Sequence, residues 1–377
     1  MDNRGIPYGR QEIDEADVEA VVQVLRGNWL TTGPAVESFE QAFAAYVGAP
    51  HAVAVSNGTA ALHLSMLAAG IGPGDEVIVP ALTFAASANC VRYVGATVVF
   101  ADVRADTLTV DVASVEALVT PRTRAIVAVD YAGLPADLLA LRGLADRHGL
   151  LFVEDACHAP GATCAGRAVG TIADLTTFSF HPVKHLTTGE GGMITTADDA
   201  LAARLRMLRN HGITSDHRSR ELAGTWEYDM VALGFNYRLS DIQCALGRSQ
   251  LTKLPRWLAA RRALAARYRE QLAARPEWLL QAEPEDRTHS YHLFAVRVAG
   301  DSPGRERRDA FERLRRAGIF PAVHYRPVYL HSYYQSLGYR AGLCPAAELA
   351  YDGLLSIPLW HGMTHEQQDR VLRALIV

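Results

Sequence analysis

The chain of 377 residues has few cysteines, no apolar run of membrane length and no large excess of either charge. Its five cysteines, Cys90, Cys157, Cys164, Cys244 and Cys344, are scattered, odd in number and never in a CxxC pair. That usage argues against a disulfide framework and fits a reducing compartment. No stretch approaches the roughly 18 uninterrupted apolar residues of a membrane span. The first residues pass from a polar start into an amphipathic helical pattern, without the apolar stretch of a signal peptide. The expectation is a cytoplasmic protein with no membrane partner. A net charge of −4 on dispersed basic residues is not the footprint of a nucleic-acid binder. The one basic run, Arg256, Arg261, Arg262, Arg267 and Arg269, reads as the solvated face of a helix. His181, His185, His211 and His324 fall in no HExxH or Cys/His pattern, so no metal is expected.

What is present is an ordinary globular composition, 49% hydrophobic and 21% charged, long enough for a large domain and a smaller one. Ile13, Val18, Val21, Val22 and Leu25 fall on one side of a helix over about 11–26. The strand 52–56, the turn SNGT and an alanine-rich helix over 60–69 follow. Short apolar strands then alternate with helical segments at 76–80, 96–102, 125–131, 150–156, 175–180 and 192–196. Near-continuous apolar strands with helical crossovers read as an α/β fold, a mainly parallel sheet flanked by helices. After about 240 the pattern changes to long helices over 241–273, one strand at 291–298 and an amphipathic helix near 306–317. This predicts a large domain over 1–250 and a smaller C-terminal α+β domain over 251–377.

In such sheets ligands sit beyond the carboxyl ends of the strands. Ser56, Asn57, Gly58 and Thr59 lead into a helix there, where backbone N–H groups and the Thr59 hydroxyl can face a phosphate; the same residues also make a good turn and cap. Asp155 ends the strand LLFV and calls for a cationic partner, such as the protonated ring nitrogen of pyridoxal 5′-phosphate (PLP), or acts as a cap. His158 could hydrogen-bond the cofactor's phenolic oxygen, orient Asp155 or be structural. Lys184, two residues after a proline and just before a TGEGG turn, has no packing reason to be there. PLP chemistry needs a lysine whose amine loses its proton easily. Ser179 offers a hydroxyl to the same phosphate as Thr59.

VEDACHA (153–159), FSFHPVKH (178–185) with TGEGGM (188–193), and GFNYRLSDIQCALG (234–247) resemble the DegT/StrS-type sugar aminotransferases, PLP enzymes of fold type I. The likeness runs from residue 6 to about 370. It implies that Lys184 is the Schiff-base lysine and its own general acid–base, Asp155 the partner of the pyridine nitrogen, and Phe84 the aromatic stacked on the ring. Gly58, Thr59 and Ser179 match phosphate or substrate contacts. Asn236 resembles a residue that reaches the cofactor phosphate of the neighbouring subunit, which implies a homodimer with shared sites. Tyr8, Asn28, Trp29, Leu30, Thr31, Arg238, Val323, His324, Tyr325 and Arg326 match sugar-nucleotide contacts; the two arginines suit a diphosphate.

The stretches 6–14, 28–34, 178–192 and 323–330 resemble a branch of the family in pseudaminic acid biosynthesis. That branch implies a UDP-linked 2-acetamido-2,6-dideoxy-4-keto-hexose as substrate, aminated at carbon 4, with glutamate as donor. A keto-sugar dehydratase on the same fold has a histidine in the lysine's place, and Lys184 argues against it. A non-catalytic regulator is the remaining alternative.

Overall fold

The computed structural model describes residues 5–215 and 217–376. Seven strands form one sheet in the spatial order His51–Val55, Gly192–Thr196, Leu175–Ser179, Leu151–Asp155, Thr123–Val129, Glu76–Pro80 and Thr97–Ala101. Gly192–Thr196 runs antiparallel to both neighbours, whereas the pairings from Leu175–Ser179 outward to Thr97–Ala101 are all parallel. Val77, Ile78 and Val79 are fully buried in succession, because helices cover both faces of the sheet. Separate apolar clusters fill the two faces, one around Leu62, Val79 and Val127, the other around Phe43, Phe152 and Phe178.

The helix Asp241–Leu272 opens on a capping box made by Ser240 and Gln243 and runs without a break into the C-terminal part. That part holds a three-stranded antiparallel sheet, Trp278–Leu280, Phe294–Val298 and Leu354–Ile357, covered by the helices Pro303–Arg316 and His365–Ile376. Its two outer strands, three and four residues long, are too short to carry a period. The amino-terminal Ile6–Pro7 pairs in parallel with Ile319–Phe320, and Tyr8 O accepts a hydrogen bond from Leu359 N. Tyr8 is therefore delivered to the sheet by the C-terminal part. Among the described residues no helix is long and apolar enough to cross a membrane.

Two helical faces differ from the sequence pattern. The helix Glu15–Arg26 turns Asp17 inward, fully buried, where Ser249 Oγ, Gln250 Nε2 and Lys253 Nζ reach its carboxylate at 2.6, 2.7 and 2.8 Å. Of the predicted apolar stripe, Val18 and Leu25 are 45% and 55% exposed and Ile13, just before the helix, 47%, while Val21 and Val22 are half-buried. Arg261, expected in solvent, is fully buried, and its Nη1 donates to the carbonyls of Tyr291, His292 and Leu359. These carbonyls serve Nη1 in place of water, while Nε and Nη2 are buried without a hydrogen-bond partner among the described residues.

Asp241 holds the loop 28–33 in place: its buried carboxylate accepts from the N–H groups of Gly33 (2.7 Å) and Ala35 (2.9 Å), and its own N–H donates to Leu30 O. Asp241→Ala orphans two N–H groups at a helix start and is expected to cost about 1–3 kcal/mol. Urea denaturation measures this; an unchanged midpoint would contradict it.

Candidate active site

Four elements converge beyond the carboxyl ends of the parallel strands around a cavity of about 720 Å³. The first is the turn after His51–Val55, where the Asn57 side chain caps Ala60 N and starts the helix Gly58–Ala68. Gly58 and Thr59, in its first turn, line the cavity. A Cβ on Gly58 would stand 3.0 Å from Ser179 Cβ and 3.2 Å from Cys157 Sγ. Glycine thus lets the helix start approach Ser179 and Cys157 closely, so that the first N–H groups of the helix and the hydroxyls of Thr59 and Ser179 come to one cavity, a donor set that suits a phosphate. Gly192 passes on the other side, where a Cβ would meet Asn57 O at 2.5 Å. The TGEGG segment thus needs a glycine there so that the antiparallel strand can pass the turn at Asn57.

The second element is the strand ending at Asp155. Its buried carboxylate accepts from Ser87 Oγ (2.7 Å) and Cys157 N (3.2 Å) and lines the cavity. Ser87, itself 2.7 Å from Thr83 Oγ, restrains the carboxylate from behind. His158 follows, with Nε2 3.2 Å from Tyr325 OH. The third is the loop after Leu175–Ser179, where Lys184 N bonds to His181 O and the Lys184 side chain is part-buried in the cavity. Burial pushes the Lys184 amine below its ordinary pKa, with Cys157 and Asp155 acting in the opposite sense. Lys184 and Lys253 are the only lysines of the chain. Lys253 is held by Asp14 and Asp17, whereas Nζ of Lys184 lies 3.5 Å from His292 Nε2.

The fourth element is the C-terminal part, which contributes His292, His324 and Tyr325, with Tyr8 packed 5.1 Å from the His324 ring. His324 Nδ1 is 2.9 Å from Ser356 Oγ, and its carbonyl accepts from Tyr131 OH. Phe84 is 57% exposed, its ring on the cavity rim 5.9 Å from that of Tyr325, so it is not a core residue.

Of the residues singled out in the sequence, Tyr8, Gly58, Thr59, Phe84, Asp155, His158, Ser179, Lys184, His324 and Tyr325 line this cavity. Asn28, Trp29, Leu30, Thr31, Asn236, Val323 and Arg326 do not, and Asn28, Leu30, Thr31, Asn236 and Arg326 are exposed. Arg238 lines a separate cleft of about 650 Å³ and donates to Asn210 Oδ1 at 2.7 Å. Ser87, Cys157 and His292 join the site without having been singled out. Cys157 lies within VEDACHA, two residues from Asp155, whereas Ser87 and His292 stand in none of the quoted motifs and reach Asp155 and Lys184 only through the fold, across 68 and 108 residues.

Imidazoles cluster in the cavity, at His158, His292 and His324, and behind it, at His185 and His289. Burial first, and then the neighbouring cations, hold His158, His185 and His292 well below the ordinary histidine pKa; burial takes His324 to about 4 and His289 to about 3. The sign follows: below the unfolded-state pKa of about 6.5 the unfolded chain binds protons that the folded one refuses. Stability is therefore fully present above about pH 6.5 and falls as pH drops toward the folded values. A loss of about 1 kcal/mol per histidine per pH unit is expected, read as a falling melting temperature between pH 7 and 5. A flat profile would contradict it.

A lysine, a buried carboxylate and a helix start gathered at the carboxyl edge of a mainly parallel mixed sheet, with a smaller antiparallel sheet beside it, are the architecture of fold type I PLP-dependent transferases. Within that class, the chain belongs to the DegT/DnrJ/EryC1/StrS aminotransferase family, which it matches over residues 11–376. It is 40% identical to the spore coat polysaccharide biosynthesis protein SpsC of Bacillus subtilis over 376 residues, 99% of this chain and 97% of SpsC. The putative sugar aminotransferase Spr1654 of Streptococcus pneumoniae superposes with a TM-score of 0.93 at 34% identity in its PMP form, over 98% of each chain, and has also been solved in a PLP form. PseC of Helicobacter pylori, an aminotransferase of pseudaminic acid biosynthesis, gives 0.92 at 30% identity over 99% of this chain and 98% of its own. The chain is a PLP-dependent sugar aminotransferase, and the helix start at Gly58 and Thr59, Ser179 and the buried Asp155, all lining one cavity, fit that cofactor.

Proposed function

We propose that this chain transfers the amino group of L-glutamate to carbon 4 of a UDP-linked 2-acetamido-2,6-dideoxy-4-keto-hexose, with Lys184 as covalent anchor and proton carrier. The observation that carries the chemistry is the Lys184 amine: it is set in the cavity beside Asp155, and burial lowers its affinity for a proton. An amine so placed gives up its proton more readily than a free lysine, the direction that attack on a carbonyl and removal of a proton from carbon both require. In this reading the N–H groups of Gly58 and Thr59, with the hydroxyls of Thr59 and Ser179, hold the phosphate. Asp155 pairs with the pyridine nitrogen, Phe84 covers the ring and His158 faces the phenolic oxygen. Bound there, PLP supplies the electron sink that amino transfer requires. Lys184 carries the proton in both half-reactions, while Tyr8, His324 and Tyr325 close the sugar side of the cavity and shed water from it.

The sugar and the nucleotide rest on likeness to PseC and on the segments 6–14 and 323–330. Asn28, Trp29, Leu30, Thr31, Asn236 and Arg238, which lie off the cavity of their own chain, act in this reading at the site of a second copy, with Val323 and Arg326 at the nucleotide end. The large exposed side chains of Leu222, Trp226 and Leu233, each at least 80% exposed, support a homodimer that covers them. Incubation with glutamate and a panel of UDP- and dTDP-linked 3-keto and 4-keto sugars, read by mass spectrometry and NMR, tests the substrate. Amination at carbon 4 of the UDP-linked acetamido sugar is expected; amination of a dTDP-sugar alone, or at carbon 3, would overturn the sugar assignment and leave the chemistry standing.

A further inference from the structure

We propose that His292 is a positioning residue for Lys184: its Nε2 accepts an N–H of the lysine amine, aims the amine's lone pair into the cavity, and steadies the ammonium once the amine has taken a proton. The inference rests on the reading of Lys184 as anchor and proton carrier. The contact is 3.5 Å, long for a hydrogen bond but within easy adjustment of a side chain with four rotatable bonds. It is the one hydrogen-bond contact of the Lys184 side chain among the described residues.

The imidazole cannot swing away. Its ring packs 4.3 Å from that of His158 and 5.7 Å from that of His185, centroid to centroid, and His292 is 5% exposed. Its backbone is fixed as firmly. The buried Arg261 donates to the carbonyls of Tyr291 and His292, Ser290 N bonds to Gly133 O, and Leu293 N bonds to Ala132 O. His185, on the far side, is tied by Nε2 to Ser290 O at 2.8 Å. Arg261, rather than the solvent cation its sequence suggested, is thus the support beneath the imidazole that faces the reactive amine.

The direction of the hydrogen bond follows from the donor inventory. An ammonium has three donors and no acceptor, so a ring that is to serve Lys184 in both protonation states must offer Nε2 as acceptor. Burial first, then Lys184, the neighbouring imidazoles and Arg261, disfavour a charged ring; the proposal places the lone pair of the neutral ring on Nε2 and its proton on Nδ1, which has no hydrogen-bond partner among the described residues. The proton taken from carbon therefore stays on the lysine nitrogen and is returned from there; His292 neither gains nor loses one. Because the bond strengthens when the amine is charged, it raises the proton affinity of Lys184 above what burial alone would leave.

The test reads the amine itself in cofactor-free protein. With two lysines in the chain, competitive acetylation over a pH series, followed by peptide mass spectrometry, gives the Lys184 pKa with Lys253 as internal reference. His292→Phe is expected to lower that pKa by about one unit, and His292→Gln, whose side-chain oxygen can accept, to restore most of it. In cofactor-loaded protein the Phe variant is expected to lose about 10- to 100-fold in kcat with the KM for glutamate little changed. Should the Phe variant fail to fold, His292→Leu carries the same expectation. A Lys184 pKa that is unchanged or raised in the apolar variants, or a Gln variant no better than Phe, would overturn the proposal. Borohydride reduction of PLP-loaded His292→Phe separates the two levels. A phosphopyridoxyl group on Lys184 leaves the anchor standing whatever the pKa shows, and a label on Lys253 in the parent protein would remove the anchor and this proposal together.

Discussion

Lys184→Ala is expected to lower amino transfer by about 10⁴-fold or more, the largest effect of any single substitution in the chain. Two roles are lost at once, the covalent hold on the cofactor and the carrier of the proton, and positioned general acid–base catalysis alone contributes about 10²–10⁴. No neighbouring group can replace it. His158, His185 and His292 are buried with proton affinities too low to act as bases of comparable strength, and Lys253 is committed to Asp14 and Asp17 on the helix Glu15–Arg26. The fold itself is expected to stand, because the Lys184 side chain is only part-buried and makes no ion pair that its removal would strand. Steady-state rates together with far-UV circular dichroism check both halves; a variant retaining more than about a tenth of the activity would remove Lys184 from the chemistry.

Asp155→Asn comes second, with an expected loss of about 10²- to 10³-fold. The carboxylate is buried, fixed by Ser87 Oγ and Cys157 N, and placed among groups that leave it free to face a cation in the cavity. Breaking a buried charge pair by neutralising one partner costs about 3–5 kcal/mol, most of it from the charge left alone. The amide keeps the shape and can still accept from Ser87, so the loss reports the charge rather than packing. Weakened PLP retention on dialysis, alongside the fall in rate, is the expected outcome. Unaltered retention and rate would place the ring nitrogen elsewhere.

Much of this site is legible in the sequence because parallel strands write themselves as short apolar runs and end at the site. Asp155, Ser179 and Gly58 each stand at or just beyond the end of such a run, and the run 192–196 coincides with the strand observed. The helix 11–26 reads differently in the structure because an apolar stripe shows that a face is covered without saying by what; Asp17, a buried carboxylate served by Ser249, Gln250 and Lys253, took the inner position instead. Arg261 and His292 are illegible for a related reason. Each is buried through partners more than 25 residues away, the arginine by carbonyls of 291, 292 and 359 and the histidine by a lysine 108 residues back, and no local pattern records such a pairing. The strands Trp278–Leu280 and Leu354–Ile357 are simply too short to show an alternation.

Lys184 as the anchor of the cofactor is tested most directly by loading the protein with PLP, reducing with borohydride, and locating the phosphopyridoxyl group by peptide mass spectrometry. A single label is expected on the peptide containing Lys184, with Lys253 unmodified and no label in Lys184→Ala. A label on Lys253, or one that survives the loss of Lys184, would contradict it.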